Sequence, residues 1–318
     1  MTRRADAILV MILIGAGAAG LFAGVPLDWN DWSADGTTAR IVWDLRLPRM
    51  LFVFGCGAAL AAVGACYQIM FHNPLAEPYL LGVSSAATLG IVVAEILGGI
   101  ASTSLLSQGV GLSSAALATL LLGAISFSRV GRQAERVALF GLGLNFVLSS
   151  ALFLFLSYHS QQLGGGAMRW LFGHIPWVSA NQSFQFALGT FALLALLLGL
   201  ARRLDALSFG DGVARTLGVS PHSTRILFLT LTSVLIAWMA SLTGSIGFVG
   251  LVAPHCVRLG WRPGTSRKLL ALCIPLGGAC LVLSDALSRT ILPPLEFPIG
   301  VITTLVGGPL FLVLLWKR

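Results

Sequence analysis

Charged side chains are scarce in this sequence: Asp, Glu, Lys and Arg make up 10% of its 318 residues, where a soluble domain carries about 25%. A soluble fold of this length would still expose about a quarter of its unfolded surface to water, and there are too few wettable side chains here to cover it. The surface must face lipid. Lysine is nearly missing, at Lys268 and Lys317 alone. No Gly-x-x-x-x-Gly-Lys-Ser/Thr segment exists, which excludes ATP hydrolysis by the P-loop route. No His-Glu-x-x-His pair is present to build a zinc protease. The five cysteines (Cys56, Cys66, Cys256, Cys273 and Cys280) are odd in number, lie in apolar runs and form no Cys-x-x-Cys pair. They read as small buried hydrophobes, not as metal ligands or disulfides.

What is present is hydrophobic: 56% of residues, with a mean hydropathy of +0.89. A helix crosses the bilayer with about 20 apolar residues, and runs of that kind occur at Ala7–Gly24, Pro48–Met70, Tyr79–Gly98, Gly109–Phe127, Val137–Leu156, Phe184–Leu200, Thr224–Thr243, Ile246–Gly260, Leu269–Leu287 and Pro298–Trp316. The expectation is an all-α polytopic membrane protein of about ten transmembrane helices, forming one domain over residues 1–318. The runs lack the two-residue alternation of a membrane barrel. The eighth is short and glycine-rich, and reads as a broken or re-entrant helix. The first could be a cleaved signal, but the hydrophobicity of everything after it favours a true span.

Charge placement orients the chain. With both termini in the cytoplasm, that side holds Arg3 and Arg4; Arg129, Arg132 and Arg136; Arg202, Arg203, Arg215 and Arg225; Arg258, Arg262, Arg267 and Lys268; and Lys317 and Arg318. These are fifteen of the 20 basic residues, the bias expected of cytoplasmic loops. Arg40, Arg46, Arg49, Arg169 and Arg289 fall outside. The net charge of +8 then needs only topology and anionic lipid, with no nucleic-acid partner.

Three long loops interrupt the runs: Val25–Leu47 and Ser157–Ser183 outside, the latter with Gly164, Gly165 and Gly166, and the cytoplasmic loop 202–223. Leu-Gly-Val-Ser occurs at 81–84 and again at 217–220, a coincidence in so apolar a chain. Asp28 and Asp31 could hold a metal or a diphosphate, or form a solvated acidic loop. Ionisable residues at mid-membrane mark ion-coupled transporters, yet Glu95 and Asp285 fall near the outer ends of their spans, so a proton relay lacks residues. Arg46 and Arg49, around Pro48, stand at the outer mouth of the second span with Arg289 on the same side. They read either as snorkelling anchors or as a docking site for an acidic partner. In the cytoplasmic loop, Asp211 can cap a short helix that stops at Gly218, presenting Val213, Arg215 and Leu217 to a partner or to the membrane surface. Asn73–Pro78 cannot be a continuous helix, having two prolines. The glycines of Gly244–His255 permit close helix approach, and His255 reads as a structural histidine.

Five of these segments, in order from about residue 40 to the C-terminus, resemble the FecCD-type permeases, the membrane subunits of bacterial ABC importers for iron–siderophore complexes, haem and cobalamin. They are Leu45–Arg49; Asn73–Pro78 followed by Leu81-Gly82-Val83-Ser84; Gly210–Gly218; Gly244–His255 with Arg258; and Glu296–Gly300 continuing to Thr303, Gly307 and Pro309. The chain departs from the family pattern at Gly212, after the loop aspartate, and at Ala86 and Ala87, where a glycine is frequent. The resemblance implies a ten-helix type II importer subunit in the bacterial inner membrane. It would work as a homodimer with two cytoplasmic ATPase subunits and a periplasmic binding protein. ATP and magnesium would bind to the ATPase, and no cofactor to this chain. It implies that Asp211, Gly212, Val213, Ala214, Arg215, Leu217 and Gly218 form the segment that couples to the ATPase, and that Arg46, Arg49 and Arg289 meet acidic residues on the binding protein. A translocation path between two subunits would make Asn145 a polar lining residue. Iron–siderophore or haem ranks first as cargo, cobalamin next. Two readings of other classes compete: a secondary transporter driven by an ion gradient, and an intramembrane enzyme using Asp28 and Asp31.

Overall fold

The computed structural model describes residues 2–24, 36–100, 104–127, 134–159, 167–293 and 295–316. Asp28 and Asp31, Arg129 and Arg132, Gly164 to Gly166, and Lys317 and Arg318 lie outside these residues. Twelve helices follow in chain order: α1 (Thr2–Phe22), α2 (Thr37–Met70), α3 (Val83–Gly98), α4 (Leu105–Phe127), α5 (Ala134–Tyr158), α6 (Ala167–Phe172), α7 (Ala180–Ser208), α8 (Asp211–Thr216), α9 (Pro221–Thr243), α10 (Val249–Trp261), α11 (Ser266–Thr290) and α12 (Ile299–Trp316). Seven of them are long and apolar enough to cross a membrane, and α3 and α12 are shorter apolar helices. With α10 these make ten, as the apolar runs imply; α6 and α8 are short extras. Lipid offers no partner to a bare N–H or C=O, so each segment closes its own hydrogen bonds as a helix.

The second helix begins well before the run that marks it. Leu45–Arg49 does not lie at the mouth of a loop: it sits inside α2, where residues Ile41–Arg46 form a π-helical turn. Pro48 has no N–H to give the carbonyl four residues back, and its ring crowds that carbonyl. The widened turn directly ahead of it is where such a mismatch is absorbed.

The core is α2, whose Phe52, Val53, Cys56, Ala59, Val63 and Cys66 are each 0% exposed. Glycines let its neighbours approach. A Cβ on Gly57 would stand 2.3 Å from the Gly277 carbonyl oxygen of α11, and one on Gly64 would stand 2.0 Å from the Gly250 carbonyl oxygen of α10. Apolar side chains gain nothing by leaving lipid for protein, so close backbone contact supplies the packing energy instead.

Two non-helical stretches lie inside the bundle. One links α2 to α3 and includes a 3₁₀ turn at Pro78–Leu81. The other, Gly244–Phe248, separates α9 from α10, with Gly244 at φ +69° and Phe248 at φ +70°. The 13 residues of α10 rise about 20 Å, short of the ~30 Å hydrocarbon core; the eighth run is a short, continuous helix. The two stretches pack on each other: Glu77 accepts the Phe248 N–H, and a Cβ on Gly247 would stand 3.8 Å from Glu77 Oε1. Irregular backbone at this depth is tolerated because protein covers it.

Candidate functional site

The functional residues gather at the two ends of the bundle and in a cavity between. At the Met70 end of α2, the chain leaves α7, turns at Gly210 (φ +95°) and makes the six-residue α8. Gly218, at φ +76°, stops it, as the sequence implies. Its start differs. Gly210, not Asp211, is the N-cap, and no side chain caps the helix. The Asp211 carboxylate instead receives a fork from Arg225 of α9, Nη1 to Oδ2 at 2.9 Å and Nη2 to Oδ1 at 2.6 Å. Arg225 Nε also donates to the Met70 carbonyl at 3.3 Å. The Arg225 guanidinium holds the Asp211 carboxyl below the usual carboxylate range, with Arg215 and His72 adding smaller effects. A bidentate pair is the geometry a guanidinium fits best.

Around this fork, Ala214 is fully buried and its carbonyl accepts the Val219 N–H at 2.9 Å. His72 donates to the Leu207 carbonyl at 2.9 Å. The faces left over are apolar and bare: Phe209 is 70% exposed, Val213 45% and Leu217 60%. Arg215 is exposed beside them, and Gly212 and Gly218 have open space where a side chain would be. The result is an uncovered apolar surface on a braced mount.

At the opposite end the three arginines come together but not as free charges. Arg46 is 8% exposed and donates to the Leu21 carbonyl of α1 at 2.9 Å. Arg289 donates to the Ala23 and Gly20 carbonyls and lies 3.1 Å from Asp285. Arg49 grips Asp285 Oδ1 with Nε and Nη2, at 3.2 and 2.8 Å, and Glu296 with Nη1 and Nη2, at 3.1 and 2.9 Å. Asp285 is thus the buried counter-ion of two arginines. Beside this network opens a groove of about 600 Å³ lined by Arg49, His174, Trp177, Leu295, Glu296 and Pro298, among others.

Asn145, expected from the sequence to line a path between subunits, stands here between helices of one subunit. It is 2% exposed, accepts from Ser85 Oγ at 2.6 Å, and packs at the Gly82 turn between α3 and α5. Its hydrogen bond joins α3 to α5. Glu77, which the sequence reading did not single out, faces a second cavity. It is 5% exposed, accepts the Phe248 N–H, and leaves Oε1 without a partner among the described residues. The cavity holds about 450 Å³ and is lined by Leu75, Tyr79, Phe172, Phe248 and Phe311, among others. Glu77 was passed over because its two flanking prolines mark a loop, and a loop is expected in water. His255 is 2% exposed and packs edge-on to Phe311; among the described residues no cluster of His, Cys, Asp and Glu could hold a metal.

These features meet in one family. The model of the FecCD transport family matches residues 7–317. The chain belongs to the FecCD transport family. Among its relatives, the Bacillus subtilis (strain 168) ABC transporter permease protein YvrB is 35% identical, over 98% of this chain and 91% of that protein. The vitamin B12 import system permease BtuC of Yersinia pestis is 37% identical, over 96% of this chain and 91% of its own length. The solved structure of a metal-chelate type ABC transporter in an inward-facing conformation aligns over 100% of both chains, with a TM-score of 0.86 at 27% identity. This FecCD protein is therefore the permease subunit of an ABC importer, with an exposed apolar helix at one end of the bundle and a charged groove at the other.

Proposed function

We propose that this permease carries a metal chelate into the bacterial cytoplasm, as one half of a dimer driven by two ATPase subunits bound at α8. The observation that carries this reading is the α8 mount. An exposed apolar face of Phe209, Val213 and Leu217 sits on a helix fixed by the Asp211–Arg225 fork, at the end where basic residues concentrate. Water-exposed apolar patches on a rigid base mark partner surfaces. The ATPase needs such a handle, because this chain has no phosphate-binding loop of its own. The groove beside Arg49 faces the other side of the inner membrane and receives the binding protein.

The cargo is a corrinoid of the cobalamin class ahead of an iron–siderophore or haem. BtuC relatives, named for vitamin B12 import, are 36–37% identical to this chain. Glu77 supports the same order, since its unpartnered Oε1 offers an acceptor to the amide N–H groups that a corrinoid carries around its rim.

The test is uptake in proteoliposomes holding this chain with its ATPase and binding protein. Cyanocobalamin should enter against a gradient only when ATP is supplied, and Arg215→Glu should weaken ATPase assembly at least fivefold. Concentration of cargo by the chain alone under a proton or sodium gradient would instead establish the secondary-transporter reading.

A further inference from the structure

We infer that Glu296 stands in for a carboxylate of the docking partner: when the binding protein arrives, one of its acidic side chains takes the place of Glu296 on Arg49. The inference rests on the docking reading above and specifies how docking works. None of the three guanidiniums is available as the chain stands. Arg46 donates to Leu21 of α1, and Arg289 to Gly20 of α1 and to Ala23 just past it, and the Arg49 side chain is 16% exposed. A partner carboxylate can form a two-pronged fork with Arg49 only by displacing one of its two present carboxylates, since Nε, Nη2 and one Nη1 hydrogen are already engaged.

The two differ in how easily they leave. The Asp285 side chain is 3% exposed and serves Arg289 as well as Arg49, so its departure would strand two part-buried cations. The Glu296 side chain is 50% exposed and pairs with Arg49 alone among the described residues. On release it swings into water, where a carboxylate loses little. The exchange trades one fork for another of equal geometry, so it leaves no buried charge bare at either stage. Without a partner, Glu296 keeps Arg49 compensated and stops it from capturing any passing anion.

The groove fits this use. Glu296 and Arg49 line it together with Trp177, which is 76% exposed, and Leu295, 68% exposed. A partner segment would place its carboxylate on Arg49 and an apolar residue on the Trp177 ring. Glu296 also lies at the head of a strap. The Phe297 N–H donates to the Ser288 carbonyl at 3.3 Å, and the Ile299 N–H to the Gly173 carbonyl at 3.0 Å. Freed of its ion pair, this strap passes the docking event to α12, whose Gly300, Thr304 and Phe311 line the Glu77 cavity.

The experiment compares wild type, Glu296→Gln, Glu296→Asp and Trp177→Glu in nanodiscs. One readout is affinity for the purified binding protein of the same import system at low salt. The other needs no partner: the rate at which phenylglyoxal modifies Arg49, read by mass spectrometry. Glu296→Gln should tighten docking about tenfold and speed modification severalfold, and Glu296→Asp should return both toward wild type. Trp177→Glu puts a negative charge on an exposed side chain of the groove, and should weaken docking at least tenfold without disturbing the fold. If Trp177→Glu weakens docking while Glu296→Gln leaves docking and modification unchanged, or weakens docking, exchange is wrong and the docking groove stands. If neither variant alters docking, the groove itself is misassigned.

Discussion

Asp211 shows how one residue can support a proposed partner surface without forming its contact face. Its carboxylate is turned inward onto Arg225, so its role is to hold the handle rather than to be held. Asp211→Asn would leave the guanidinium of Arg225, a residue 8% exposed, facing a neutral amide. The expected loss is about 1 kcal/mol, because the carboxylate side chain is 33% exposed and water screens the pair. The pH dependence follows from the sign of the shift. A carboxyl held lower in the folded chain than in the unfolded one contributes its full stabilisation above the unfolded value of about 3.9. That contribution disappears as pH falls through the lowered folded value. The stability gap between wild type and Asp211→Asn should therefore be flat above about pH 5 and close at lower pH, read from thermal unfolding in detergent. A gap that widens on acidification would mean that Asp211 is not paired as described.

Helix contacts in this bundle turn on single hydrogen atoms. Gly64→Ala would place a methyl 2.0 Å from a backbone oxygen of α10, and backbone cannot swing aside as a side chain can. A loss of about 1–3 kcal/mol is expected, seen as a lowered unfolding midpoint and less monodisperse protein. Gly199→Ala in α7 is the matched control, with open space around the new atom and a gain in helix propensity of about 0.5–1 kcal/mol. Equal outcomes for the two would refute the close-contact account. Nothing in the one-dimensional pattern distinguishes Gly64 from Gly199, since both sit in apolar helical runs. That limit describes the sequence reading as a whole. Ten helices and the stop at Gly218 were legible, because hydrophobic length and glycine act locally; the eighth run was read from Ile246, and its helix starts at Val249 after the non-helical Gly244–Phe248. The arginine network was not legible. Arg49 meets Asp285 across 236 residues, and which faces of α2 and α11 oppose is decided by packing alone. Glu77 failed for the opposite reason: its proline neighbours were read correctly as breaking a helix, but the break is folded back into the bundle.

From handle to cavity the connections are continuous. Arg225 ties α8 to α9 and to the Met70 carbonyl that ends α2. The chain running on from Met70 reaches Glu77, which holds the Phe248 N–H. Phe248 sits at a positive φ, in a region costly for a residue with a side chain, and its ring packs over Gly307 of α12. A force on α8 thus arrives at the cavity wall through two irregular segments, the parts of the bundle least able to resist as rigid rods. Arg225→Lys tests the first link. A lysine keeps the charge but offers no planar fork, so it cannot hold both Asp211 oxygens and the Met70 carbonyl in the same arrangement. The exposed α8 face proposed above to meet the ATPase is untouched, so assembly and nucleotide hydrolysis should stay within about twofold of wild type. Cargo delivered per ATP should fall at least threefold, because the handle would move without carrying α2 along. A delivery ratio equal to wild type would show that force reaches the cavity by another route, with α7 and α9 themselves the first to examine.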